Sequence, residues 1–490
     1  MVRYGKLKRT AWLLALTCLV GCTSEQTPPV QGVLLITVDT LRADHLGAYG
    51  YALPTSPNID KLAERGVLFR NTNAQWPKTW ASMASLHTGR YPKTTGLQLK
   101  PRVLPQSLLM LSEVFSEAGY ETAAIVANFN VGRTLGFEQG FDHFVESWQE
   151  RWQDEEGSLA YVNAAGRVKA YTNATLVTDQ ALKWLNDRDA SQPFFLWLHY
   201  MDPHGPYLPP QKYAELFVGQ HPSHNVPTRR IPTYQQQKMD GQIIEDLAHY
   251  HAQYDRQIRY FDDEFGRLVA SLEELGLGQS LIALTADHGE SLTEHGYYLE
   301  HGFNPYQPTA HVPLIIAQPG VISLGRRIDR PVELLDLTPT LVELAGVAIP
   351  TSHEGTSFAS TLRGETHEVA RKPVFTESGY DIDASNLAVR DQNWKLIHVR
   401  SESERANFSG AEFELYDLAK DPGELANVAQ WNPEEVSRLR GELSRWYNAA
   451  EGRDELGAVV DIESLDKDSR DMLKALGYID ADPVQPKSTP

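Results

Sequence analysis

Short, unbroken apolar runs alternate with stretches of helical period through most of this sequence, and that alternation limits the fold more than any other feature. Val33–Val38, Thr122–Ala127, Phe194–Leu198, Leu281–Thr285 and Val312–Ala317 are too short for helices and lack the every-second-residue polarity of a half-wet strand. Such runs fit strands buried on both faces. Helix signals lie between them. Ser56 and Pro57 open one helix and Gly66 closes it, Ser107–Gly119 and Ala174–Arg188 read as two more, and Ile243–Leu275 as a long one, with another at Glu333–Ala345. Strands alternating with helices predict an α/β fold, a doubly wound and mostly parallel sheet covered on both faces. After residue 346 the texture changes. Short strands at Val374-Phe375, Trp394–His398 and Glu414–Tyr416 precede a helix at Glu434–Ala449, which predicts a small C-terminal antiparallel α+β sub-domain. Residues 208–240 are rich in Pro and Gln, show no period, and read as a surface excursion.

The N-terminus carries a different signal. Arg3, Lys6, Lys8 and Arg9 precede an apolar run from Ala11 to Val20, too short to span a bilayer and fitting the h-region of a cleaved signal. Leu19-Val20-Gly21-Cys22 resembles the lipobox of bacterial lipoproteins, in which cleavage before the cysteine leaves it acylated. The reading divides the chain into a signal at 1–21, a tether at 22–31, an α/β domain at 32–345, the C-terminal sub-domain at 346–480 and a tail at 481–490. It expects a protein held at a membrane surface through lipidated Cys22, in the bacterial cell envelope and facing out of the cytoplasm. With 64 acidic and 45 basic residues the net charge is −19, which argues against a general nucleic-acid binder while leaving room for a local anion pocket. The two cysteines, Cys18 and Cys22, exclude a disulfide framework and a cysteine-rich zinc module.

In open α/β sheets, sites form beyond the carboxyl ends of the strands. Val33–Val38 runs into Asp39, Leu281–Ala286 into Asp287-His288-Gly289-Glu290, and Phe194–Leu198 into His199-Tyr-Met-Asp202-Pro-His204. Asp39, Asp287 and His288 offer oxygen and nitrogen ligands suited to a divalent cation, although each one singly would serve equally as a helix cap or loop hydrogen bond. In Lys78-Thr79-Trp-Ala-Ser82, Thr79 falls at the start of a helix, where backbone N–H groups favour an alkoxide or anion; a plain N-cap is the other reading.

These segments, in this order, resemble the sulfatase branch of the alkaline phosphatase superfamily. The marks are Val38-Asp-Thr-Leu-Arg-Ala-Asp-His-Leu46, Ser85-Leu-His-Thr-Gly-Arg-Tyr-Pro92, Asp202-Pro-His-Gly-Pro-Tyr207, Asp287-His-Gly-Glu290 and Val312-Pro-Leu-Ile-Ile316. Further marks are Leu335-Asp-Leu-Thr-Pro-Thr340 and Leu415-Tyr-Asp-Leu418. The resemblance implies Asp39, Thr79, Asp287 and His288 as metal ligands, Thr79 as nucleophile, and His204 and His301 as contacts of the transferred group. It breaks at the formylglycine motif Cys/Ser-x-Pro-x-Arg, which falls on Thr79-Trp80-Ala81-Ser82-Met83. Formylglycine cannot be made from threonine, so none is expected.

The set instead looks like that of threonine-nucleophile relatives, such as nucleotide phosphodiesterases and phosphoethanolamine transferases. Histidine among the ligands favours one Zn or Mn over Ca. A second metal on Asp202, His204 and His301 is a further option. The expected function is metal-dependent hydrolysis of an anionic ester carried by an envelope lipid, glycan or small molecule, a phosphate mono- or diester ahead of a sulfate ester, through a covalent Thr79 intermediate. The alternatives are a phosphoglycerol or phosphoethanolamine transferase, and a non-catalytic glycan-binding lipoprotein.

Overall fold

The computed structural model describes residues 30–470 and Leu473, apart from 99–101, 150–160, 163–167, 170–172, 323, 367–371, 380–384, 450–456 and 466–469. The signal at 1–21, Cys22, most of the tether and the 481–490 tail lie outside the described residues.

The predicted apolar runs become the middle of one large sheet. Its strands are β1 (Gly32–Val38), β2 (Val67–Asn73), β3 (Glu121–Val126), β4 (His143–Glu146), β5 (Phe194–Tyr200), β6 (Leu281–Ala286), β7 (His311–Ala317), β8 (Arg326–Ile328) and β9 (Val332–Glu333). The spatial order is β8-β2-β7-β6-β1-β5-β3-β4, with β9 also paired to β2. The pairs β6/β1, β1/β5, β5/β3 and β3/β4 are parallel. Strand β7 runs antiparallel to both of its neighbours, so the run Val312–Ala317 belongs to the one reversed strand of the described sheet. All seven residues of β1 and all seven of β5 are buried, which is why those strands read as continuous apolar runs.

Among the described residues the longer helices beside this sheet are α1 (Pro57–Arg65), α2 (Thr79–Thr88), α3 (Leu111–Glu117), α4 (Ala174–Asp187), α5 (Leu247–Glu274) and α6 (Leu337–Leu344). They fall into two packed groups, α1/α4/α5 and α2/α3/α6, as a doubly wound sheet requires. Three expected helices are shorter than their sequence signals. Helix α6 starts at Leu337, after a 3₁₀ turn at Leu334–Asp336, rather than at Glu333. The Glu113 carboxylate accepts from Met110 N–H and starts α3 at Leu111 rather than Ser107. Asp246 accepts from Ala248 N–H and starts α5 at Leu247 rather than Ile243. The excursion at 208–240 holds two 3₁₀ turns, Gln211–Tyr213 and Thr228–Arg230.

The C-terminal sheet is antiparallel throughout, in the order β10 (Val374–Ser378), β11 (Asn386–Asp391), β12 (Trp394–His398) and β13 (Phe413–Asp417). Helix α7 (Pro433–Ala449) buries Leu439 and Leu443 against Leu387, Val389, Leu396 and Leu415. This sheet is fastened to the large one near the turn that leads into α2. Thr376 Oγ1 donates to Ala74 O at 2.8 Å and Glu377 N–H to Gln75 O at 2.8 Å. Buried Glu333 accepts from the Phe375 N–H, the Tyr91 hydroxyl and the Lys372 ammonium. No described helix is long and apolar enough to cross a membrane.

Candidate functional site

Strands β1 and β6 are parallel and in register, with Val38 opposite Ala286, so the next residues, Asp39 and Asp287, emerge side by side at the sheet's carboxyl edge. Thr40 takes a positive φ of 57°, and its N–H donates to Asp287 Oδ1 at 3.1 Å. His288 N–H donates to the same oxygen at 2.7 Å. Helix α2 approaches from the other side. Lys78 is extended (φ −144°, ψ 137°) and Thr79 is the first helical residue, with all ten residues of the helix buried. Ser82 Oγ donates to Asp287 O at 2.6 Å and pins the helix start to the loop that follows β6.

The result brings four of the predicted residues together. Thr79 Oγ1 is 3.4 Å from His288 Nε2, which lies 3.3 Å from Asp287 Oδ2 and 3.9 Å from Asp39 Oδ1. Asp39, Asp287 and His288 each offer an atom within 4.8 Å of the others, and all three are fully buried. Asp39 Oδ1 and Asp287 Oδ2 have no hydrogen-bond partner. Two buried carboxylate oxygens left bare at one point are costly unless a cation meets them, so these residues fit a divalent metal. Burial and the neighbouring Asp39 push the Asp287 carboxyl well above the usual range. Burial works the same way on Asp39, but His204, His199 and His288 outweigh it and hold that carboxyl low. Burial, reinforced by His301, holds His288 well below its ordinary value, in the neutral form a metal requires.

His204 and His301 stand beside this set. Their ring centroids are 5.1 Å apart, and His301 is 4.4 Å from His288. Buried Glu290 accepts from Tyr207 OH at 3.1 Å and holds His301 Nδ1 at 3.1 Å, which fixes the ring's orientation. Burial lowers His301 to about 4. Asp202 does not join a second metal set with the two histidines. Its carboxylate accepts from Ala174 N–H at the start of α4 and from Gln257 Nε2, so it caps a helix. Glu294 pairs with Arg42 at 2.7 Å, and the His295 ring stacks on Tyr306 at 3.6 Å.

Three residues here were given no role by the sequence, although His199 stands in one of the strand-end segments. Asn128 Nδ2 donates to Asp39 Oδ2 at 2.6 Å, and His199 Nε2 lies 3.5 Å from the same oxygen. Both follow the rule that exposed the others, since Asn128 stands two residues past β3 and His199 near the end of β5. Lys78, next to Thr79, is enclosed enough that burial lowers it to about 8.

Residues 31–347 match the family described as Sulfatase, and residues 293–448 match the C-terminal region of N-sulphoglucosamine sulphohydrolase. The chain is similar to an arylsulfatase of Clostridium perfringens, 25% identical over 475 residues that cover 86% of this chain and 95% of that one. The phosphonate monoester hydrolase of Agrobacterium radiobacter superimposes with a TM-score of 0.69 at 23% identity, over 86% of this chain and 96% of that one. A structure of an enzyme with its substrate, D-glucosamine-2-N,6-O-disulfate, superimposes with a TM-score of 0.68 at 21% identity, over 86% and 98%. At those identities the two structures show the fold alone. With the family covering the whole α/β sheet and its strand-end loops, the chain belongs to the sulfatase family, a family of metal-dependent hydrolases.

Proposed function

We propose that this protein hydrolyses an anionic ester, a phosphate mono- or diester ahead of a sulfate ester, with Thr79 as the nucleophile. The observation that carries the reading is the Thr79 hydroxyl at a helix start, 3.4 Å from His288 and beside two carboxylate oxygens without partners. Asp39, Asp287, His288 and Thr79 would hold one divalent metal, Zn or Mn rather than Ca. When bound, that metal would lower the pKa of a ligated hydroxyl and polarise an oxygen of the ester.

The remaining steps belong to the chain's own residues. Thr79 Oγ1 gives up its proton and attacks the phosphorus, the bond to the ester oxygen breaks, and that oxygen takes up a proton and leaves as an alcohol. Water then attacks the same phosphorus, the Oγ1–P bond breaks, a proton of the water passes to Oγ1, and Thr79 regains its hydroxyl as the phosphate leaves. The N-terminus of α2 favours the negative charge that gathers on the group during both steps. His204 and His301 stand next to the nucleophile and would meet the group's oxygens, with Glu290 keeping His301 in place.

The side chain at position 79 supports this order of preference. Threonine offers one hydroxyl, so the adduct is released only by attack at the transferred atom, a route that suits phosphoryl groups. Sulfate-ester hydrolysis is the second reading, favoured by the arylsulfatase likeness. A screen of paired phosphate and sulfate esters, aryl and glycosidic, with the Zn- and Mn-loaded protein decides between them. Faster phosphate turnover supports the first order and faster sulfate turnover the second. No turnover of any ester, with metal bound, removes hydrolysis by this site.

We also propose that Cys22 is acylated and holds the enzyme on the envelope outside the cytoplasm. Its basis is the run from Arg3 to Cys22. Replacing Cys22 with Ser should move the protein from the membrane fraction to the soluble one; an unchanged distribution would refute the anchor.

A further inference from the structure

We propose that Lys78 is a catalytic residue whose ammonium contacts the non-bridging oxygens of the group transferred to Thr79. This rests on the reading of Thr79 as nucleophile. Lys78 directly precedes Thr79 on an extended backbone, so its side chain leaves the chain one residue before the hydroxyl. Its Nζ lies 5.2 Å from the ring centroid of Trp80 and 5.2 Å from that of Phe303. Aromatic faces attract an ammonium without neutralising it. On a third side the stem lies against Gly302, where a Cβ would come within 2.5 Å of Lys78 Cε. The residue before that glycine is His301, whose ring is 4.4 Å from His288. The ammonium is thus steered to the histidine side of the site.

No described carboxylate pairs with it. Glu290 is engaged by His301 and Tyr207, and Asp39 and Asp287 face the proposed metal position. An enclosed cation without a counter-charge is costly on its own and becomes favourable once an anion arrives beside it. The tetrahedral group on Thr79 is such an anion. The sequence offers a reason for the need. Where the family resemblance places an arginine, this chain has Met83, fully buried and uncharged. Lys78 returns a positive charge to the same turn from the other side of the nucleophile.

The test is calorimetric binding of inorganic phosphate and inorganic sulfate to the full metal-loaded protein and its K78M and K78R variants, with metal content and thermal midpoint recorded for each. K78M should weaken phosphate binding by about tenfold or more and lower kcat by about a hundredfold, with metal content unchanged. K78R should recover part of both. Phosphate binding by K78M within about twofold of the parent would overturn the role of Lys78 alone. Loss of metal in both variants would make Lys78 structural and overturn it as well. Failure of the parent protein to bind either anion would overturn this proposal together with the reading of the site as an anionic-ester site.

Discussion

Thr79 and the residues around it are placed by local rules that the sequence states openly. Asp39 and Asp287 follow apolar strands, and Thr79 follows the last extended residue before a helix. What stays hidden at this scale is the set of residues whose importance depends on a neighbour far along the chain. Lys78 matters because Gly302 leaves room for it, and Asn128 because β3 lies two strands from β1. No pattern around either residue shows this. His87 is the clearest case of a residue that chemistry does not use. It is fully buried against Trp197 at 4.1 Å, neither ring nitrogen has a hydrogen-bond partner, and burial lowers it to about 3. In the unfolded chain it titrates near 6.5. The unfolded state therefore binds the extra proton first, and stability falls as pH drops through that window, by on the order of 1.4 kcal/mol per pH unit at most. Above about 6.5 the group contributes no pH dependence. His87→Leu should lose less of its thermal midpoint than the parent between about pH 6.5 and 4.5. An equal loss would show that His87 is already charged or solvated when folded.

The site loops depend on how closely their elements pack. Gly289 ends the turn that carries Asp287 and His288, and a Cβ there would come within 2.1 Å of Pro308 O. Backbone cannot yield as a side chain does, so Gly289→Ala should displace the loop. The expected result is a loss of about tenfold or more in metal affinity with secondary structure retained. Unchanged metal content at limiting metal would contradict the placement of the ligands. At this scale the sequence was readable where strands are fully buried and less so elsewhere. Strand β2 escaped because Arg70 and Asn71 interrupt its apolar run at the surface, and β8 and β9 because they are three and two residues long. The orientation of β7 was not legible either. A buried run reads the same in both directions, and only the pairing with β6 and β2 reveals the reversal.

Over the whole molecule, the α/β sheet and the C-terminal sheet are joined by a buried polar knot close to the segment that leads into α2. Lys372 pairs with Glu333 at 2.9 Å and with Asp336 at 2.7 Å, and neither carboxylate side chain is more than 2% exposed. Lys372→Met would leave both carboxylates without their cation. With Lys372 itself 25% exposed, the expected cost is on the order of 2–3 kcal/mol, read as a lower denaturant midpoint. A midpoint shift equivalent to less than about 0.5 kcal/mol would show the knot to be solvated. All this scaffolding positions the Thr79 hydroxyl at the start of α2. The decisive measurement is the turnover of Thr79→Ala, at full metal loading, on whichever ester the parent cleaves fastest. With Thr79 as the nucleophile, kcat should fall by about a thousandfold or more. A Thr79→Ala enzyme working within about threefold of the parent rate would contradict it.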